Sequence, residues 1–238
     1  MASTLRQSTD ASVLMQALCQ GISERAQCLR QMPQPGLLSK LAGTEPGHDL
    51  PAESLDRIDM VGALYPLDSL KERVSQATAA LRPGGVLFVA SIGPSSLLPL
   101  RPLLPGPYTT AWSRLMDMHD LGDLLVSHGL SEPVLESEVF EWTYSKPSTA
   151  LMDLRQGMGD CLALGDFPDR SWSSRFGREQ WLAAIERLRR PDGRISLAVE
   201  LVYGHAWKPL TPPSSKASGP RPAVAPVSFR PKTSNRFA

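Results

Sequence analysis

The chain has 238 residues, 42% of them hydrophobic and 21% charged, with a formal net charge of +1. That length suits one domain with a tail, or at most two small domains, and supplies enough apolar material for a real core. A charge so close to zero gives no overall field toward nucleic acid or an anionic membrane, and no run of about 18 apolar residues is present to span a bilayer.

The charge is unevenly placed. Pro209 to Ala238 hold five basic residues, no acidic ones and seven of the 22 prolines, which leaves about −4 on Met1–Lys208. This composition predicts a disordered tail over 209–238, solubilising or touching an acidic partner. Cys19, Cys28 and Cys161 are scattered and odd in number. No Cys-x-x-Cys pair occurs, so buried free thiols are expected, with neither a disulfide nor a metal site. No apolar stretch follows a basic start, and the expected location is cytoplasmic.

In chain order, residues 11–30 read as an amphipathic helix with Leu14, Leu18, Ile22 and Leu29 on one face. Residues 31–56 are punctuated by Pro33, Pro35, Gly36, Gly43, Pro46, Gly47 and Pro51, and read as irregular, with one short helical turn at Leu37, Leu38 and Leu41. Arg57–Leu64 is apolar enough for a strand buried on both faces. Ser69–Leu81 carries a helical stripe of Leu70, Val74, Ala77 and Leu81, stopped by Arg82-Pro83-Gly84-Gly85. Val86–Ala90 is a second buried strand, and the three segments together make a βαβ unit with parallel, adjacent strands. The long connection over 91–107 then leaves the carboxyl end of a parallel strand, where ligands usually bind in such sheets.

The spacing predicts a helix over 120–127, ended by Gly129, and an alternating strand over 134–144 with Phe140, Trp142 and Tyr144 on one face. A short helix with Leu151 and Leu154 follows, capped by Ser148. Another covers 178–190, with Trp181, Leu182, Ile185 and Leu188 inward. After the Pro191-Asp192-Gly193 turn, residues 195–203 alternate as a strand.

Four groups could carry chemistry. Gly157-Met158-Gly159-Asp160 follows a helix and lacks a third glycine, so it reads as a helix terminator rather than a cofactor loop. Asp117-Met118-His119-Asp120-Leu121-Gly122-Asp123 sets acids and an imidazole at a helix start, suited to capping or to a substrate pocket rather than to a metal, since ligands two residues apart in a loop are common by chance. In Tyr203-Gly204-His205-Ala206-Trp207-Lys208, Tyr203 and His205 share a face, and Gly204 between them allows a close approach. That pair serves packing, or orients a substrate carboxylic acid. Arg187, Arg189, Arg190 and Arg194 cluster at a helix end, favourable to its dipole or to an acidic partner. His48 and His128 stand alone. No strand before Ile58 is followed by a glycine-rich turn and a helix, the form that a nucleotide-type cofactor requires.

Leu81-Arg82-Pro83-Gly84-Gly85 and its following strand resemble the fourth-to-fifth-strand region of class I S-adenosylmethionine-dependent methyltransferases. Ser91-Ile92-Gly93-Pro94, Leu100-Arg101, Met116–Asp123, Asp192-Gly193-Arg194 and Tyr203–Trp207 narrow the resemblance to malonyl-acyl-carrier-protein O-methyltransferases of biotin synthesis. It covers about 50–208. It implies an α/β fold: a Rossmann-like sheet, parallel with an antiparallel last strand, here shortened and followed by the disordered tail. It also implies methyl transfer from S-adenosylmethionine to the free carboxylate of a malonyl thioester on an acidic acyl carrier protein. Arg101, His119, Asp120, Tyr203 and His205 are the substrate-pocket candidates that motif position transfers. The family sets three strands, with the glycine-rich loop, between its N-terminal helix and the strand matched by Arg57–Leu64. Only the residues 31–56 occupy that interval here.

The expected organisation is therefore 1–56 as an N-terminal helix and irregular segment in place of the cofactor half, 57–208 as a methyltransferase-like core, and 209–238 as the tail. Two functions are open. One is a degenerate methyltransferase-fold protein without a cofactor, with a binding or regulatory role toward an acyl carrier protein, an acyl thioester or another protein, and dimerising through an exposed sheet edge. The other is an active S-adenosylmethionine-dependent O-methyltransferase.

Overall fold

The computed structural model describes residues 13–29, 38–42, 51–61, 67–104, 115–163 and 175–210, with the backbone alone described at 13, 38–42, 67–69, 156–163 and 175–176. The tail beyond Leu210 lies outside the described residues. Helix α1 spans Val13–Cys28, strand β1 Leu38–Ala42, β2 Leu55–Val61, α2 Leu67–Ala80 and β3 Leu81–Ile92. A 3-10 turn, Arg101–Leu103, precedes α3 (Met118–Ser127) and β4 (Ser131–Tyr144). Helices α4 (Pro147–Ala163) and α5 (Arg175–Glu186) lead into β5 (Ile195–Trp207).

The five strands form one sheet in the order β1-β2-β3-β5-β4. β1, β2 and β3 are parallel, with Ile58 opposite Leu87 and Met60 opposite Val89. β5 runs antiparallel to both β3 and β4. The expected α/β sheet, parallel with an antiparallel last strand, is the one observed.

Strand periodicity divides the side chains into two cores. Val86, Phe88, Ala90 and Ile92 of β3 face α1, α4 and α5, together with Ile195, Leu197, Val199, Leu201 and Tyr203 of β5. Leu87 and Val89 face the other way, against α2 and α3, with Ile58, Met60, Val202 and Ala206. The result is a sheet with helices on both faces, the arrangement that buries a parallel sheet. Leu70, Val74 and Ala77 form the buried stripe of α2, as their spacing predicts.

Three local expectations are corrected. The helical turn at Leu38 and Leu41 is a strand: β1 lies parallel to β2, because sheet pairing satisfies backbone groups that one helical turn would leave unpaired. Gly157 and Gly159 do not end a helix; α4 continues to Ala163, since a helical glycine costs only about 1 kcal/mol against alanine. Of the thiols expected to be buried, Cys28 is exposed and Cys19 only half-buried; neither forms a disulfide.

Candidate functional site

The carboxyl ends of β2 and β3 define the end of the sheet where ligands are expected in this architecture. As the chain leaves Ile92 it is held down by β5. Gly93 N donates to Glu200 O at 2.8 Å and Leu97 N to Ala198 O at 2.7 Å. Ser95 N donates to the Glu200 carboxylate at 2.6 Å. Ser96 is fully buried; its hydroxyl accepts from Glu200 N at 3.0 Å. Arg101 closes this loop from behind. Its guanidinium donates to Ser96 O, 2.9 Å from Nε, and to Pro94 O. Burial lowers its pKa, and the nearby Glu200 carboxylate opposes that shift.

His119 and Asp120 open α3. The Asp117 carboxylate caps this helix, accepting from His119 N at 2.7 Å and Asp120 N at 2.9 Å. Those bonds, led by the one from Asp120, hold the Asp117 carboxyl below the usual range. The His119 side chain is 80% exposed, and Asp120 is exposed as well. Leu121, Leu124 and Leu125, in contrast, are buried against the sheet.

Tyr203 and His205 do share a face, the one toward α1. The Tyr203 ring packs against Gly21, its hydroxyl donates to Ala17 O at 3.3 Å, and the Arg25 guanidinium lies 3.7 Å over the ring. Burial pushes the phenol up to about 12. Arg25 also pairs with Glu136 and, at 2.6 Å, with Glu138 of β4. His205 is half-buried beside Phe88, with ring centroids 5.5 Å apart, and burial lowers its pKa. The close approach at Gly204 is filled from within: a Cβ there would stand 2.7 Å from Leu135. The five candidates thus occupy three places. Arg101 lies within the β3 exit loop, His119 and Asp120 at the start of α3, and Tyr203 and His205 under α1 on the opposite face of the sheet from α3.

The arginine cluster is divided by its contacts. Arg189 pairs with Glu186 and donates to Ser145 O, and Arg190 pairs with Glu141. Arg187 instead lines a groove of about 310 Å³ with Leu103, Leu104, Gln180, Ala183 and Ala184. A larger cavity of about 600 Å³ opens between α4 and α5, lined by Ser148, Thr149, Leu151, Met152, Arg155 and Arg178. Sequence reasoning missed Arg155 and Arg178. The available signal was their position beside the apolar stripes marked by Leu154 and Trp181, which placed them on helix surfaces but not together. Among the described residues no group of three or more His, Cys, Asp or Glu could hold a metal ion, and no helix is long and apolar enough to cross a membrane.

No family model matches the chain. Among curated proteins, it is 34% identical over 187 residues to malonyl-[acyl-carrier protein] O-methyltransferase of Methylovorus sp., covering 78% of this chain and 60% of that protein. It is 33% identical over 214 residues to the enzyme of that name from Laribacter hongkongensis, covering 84% of this chain and 69% of the relative. The chain belongs to the malonyl-acyl-carrier-protein O-methyltransferase family. It spans 54% of a third relative, from Gallionella capsiferriformans, at 33% identity. Solved structures with some likeness include the YcgJ protein of Bacillus subtilis, at 11% identity and TM-score 0.41 over 68% of each chain. Another is phosphoethanolamine N-methyltransferase 2 of Haemonchus contortus, at 13% identity and TM-score 0.36, over 68% of this chain and 35% of that one.

Family membership implies S-adenosylmethionine, and the described residues do not form a cradle for it. A cofactor of this kind needs a glycine whose open side faces the ligand at the carboxyl end of a parallel strand. Among the described residues Gly93 has that position, at the end of β3, but the Glu200 side chain fills the space where its Cβ would lie. The other described parallel strand ends lead into 43–50 and 62–66, which lie outside the described residues.

Proposed function

We propose that this chain presents the substrate side of a malonyl-acyl-carrier-protein O-methyltransferase and does not by itself hold S-adenosylmethionine. The observation that carries this reading is the interval between α1 and β2. Residues 29–54 contain one described strand, β1, where a glycine-loop half built from two βαβ units would need about 60 residues. The identity to the curated methyltransferases supports the family's substrate, a malonyl group on an acyl carrier protein, as the ligand class. β1 has no neighbour on its outer side among the described strands, so further strands would add there, including those of a second copy.

The carboxylate of such a substrate already carries its nucleophilic oxygen. The protein's task is then alignment more than proton removal. Calorimetric titration of the purified chain with S-adenosylmethionine at physiological concentrations tests the reading. The expected result is no saturable heat, and no rescue of biotin-independent growth when the chain is expressed alone in a strain lacking the family enzyme. Saturable binding with rescue would establish the alternative, an active O-methyltransferase.

A further inference from the structure

The cavity between α4 and α5 is distinctive in its chemistry. Among the described residues, Arg155, Arg178, Ser148 and Thr149 supply its polar lining, and Leu151 and Met152 its apolar lining. Neither arginine has an ion pair or side-chain hydrogen bond among the described residues, in contrast to Arg189 and Arg190 nearby. Both are exposed, and Met152 is 52% exposed beside them. The exposed acids in the described side chains of α4 and α5 are Glu179 and Glu186, and Glu186 is taken up by Arg189.

The location also matters. β4 ends at Tyr144 opposite Ile195, and α4 begins three residues later, so this cavity opens at the end of the sheet where β2 and β3 terminate. On the other side of α5, Arg187 lines the smaller groove against Leu103 and Leu104 of the β3 exit loop. Arginines without a partner among the described residues therefore flank α5 on both sides.

We propose that the α4–α5 face docks an acidic acyl carrier protein, with Arg155 and Arg178 binding the phosphodiester of its phosphopantetheine arm. This rests on the carrier-protein reading above. Two guanidiniums and two hydroxyls can all donate to phosphate oxygens, and guanidinium–phosphate pairs are strong and directional. Met152, 52% exposed, offers apolar surface to the branched methyl groups of the pantoyl segment. Arg187 adds positive charge for carboxylates on the carrier's own surface.

The experiment is calorimetric titration of the full chain with acyl carrier protein in two forms, with and without its phosphopantetheine arm. The wild-type chain binds the arm-bearing form more tightly, and R155E/R178E loses about tenfold or more of that affinity and the preference between the two forms. R155K/R178K keeps part of the affinity, and K71E, a single charge reversal on α2 across the sheet, keeps all of it. Melting temperatures of the variants separate misfolding from lost docking. If the wild-type chain binds the carrier and folded R155E/R178E binds both forms just as well, docking lies elsewhere and this inference is overturned while the functional reading stands. If the wild-type chain binds neither form, the functional reading itself fails.

Discussion

Leu135 of β4 fills the space beside Gly204 of β5 so closely that a Cβ on Gly204 would lie 2.7 Å from its Cδ2. The same leucine stands 2.6 Å from the position of a Cβ on Gly122 in α3. Two of the strings that carry the family resemblance therefore meet through one side chain, and they meet in packing. Gly204→Ala forces Leu135 out of its place and should destabilise the fold by about 1–3 kcal/mol. Leu135→Ala in the same chain should recover part of that loss, since residues in contact couple. Urea midpoints of the two single variants and the double variant measure the cycle. An unchanged midpoint for Gly204→Ala would show that the leucine moves aside at no cost.

The packing explains what could be read in advance. The sheet's central strands were legible because burial on both faces leaves nearly unbroken apolar runs, as in Val86–Ala90, and half-burial leaves alternation, as in Ile195–Tyr203. β1 was not legible: its five residues include Ser39 and Lys40, and its strand state comes from pairing with β2. The candidate site was legible only in pieces. Tyr203 and His205 were correctly placed on one face, but which layer covers that face is a tertiary fact. Arg101 suited an anion by type, yet its position five residues beyond Ser96 lets it bond back to its own loop. Arg155 and Arg178 come together because α4 packs on α5, which no local spacing encodes.

Tyr203 offers a separation of structure from function. Its hydroxyl makes one long bond to a helix carbonyl, 3.3 Å to Ala17 O, while its ring supports α1. Tyr203→Phe should cost about 0.5–1.5 kcal/mol, and Tyr203→Ala about 3–5 kcal/mol by opening a cavity. Carrier-protein affinity of Tyr203→Phe should equal that of the wild-type chain. A loss of affinity at unchanged melting temperature would return the phenol to the binding site.

Asp117 caps α3 with two backbone bonds, and replacing it with alanine should cost about 1 kcal/mol of stability. Its carboxyl titrates below its ordinary value of 3.8, chiefly because Asp120 N donates to the ionised form. The native state therefore favours the carboxylate. The resulting stability is present above pH 3.8 and is lost as pH falls through the lower folded value. Asp117→Asn, still able to accept a capping bond, should flatten that acid limb. Thermal melts of both chains between pH 2 and 5, on an order-of-magnitude grid set by these values, would show parallel curves if the cap were not formed.

His205 gives the opposite kind of titration with the same sign of dependence. Burial beside Phe88 disfavours its imidazolium and lowers its pKa from the ordinary 6.5. The unfolded chain then takes up the proton more readily than the folded one. Stability is at its full value above pH 6.5, falls as pH drops toward the lower folded value, and levels off below it. Its cross-strand neighbours are Phe88 in β3 and Val134 in β4; one strand further, Arg57 pairs with Asp59 and lies 4.6 Å over the Phe88 ring. Asp59 is buried and accepts from Arg57 through both carboxylate oxygens. His205→Gln keeps a polar group of comparable reach without a charge to gain. Its melting temperature should vary less between pH 5 and 7.5, about the range where a histidine switch acts, than that of the wild-type chain. Equal pH slopes for the two proteins would place the dependence on another group.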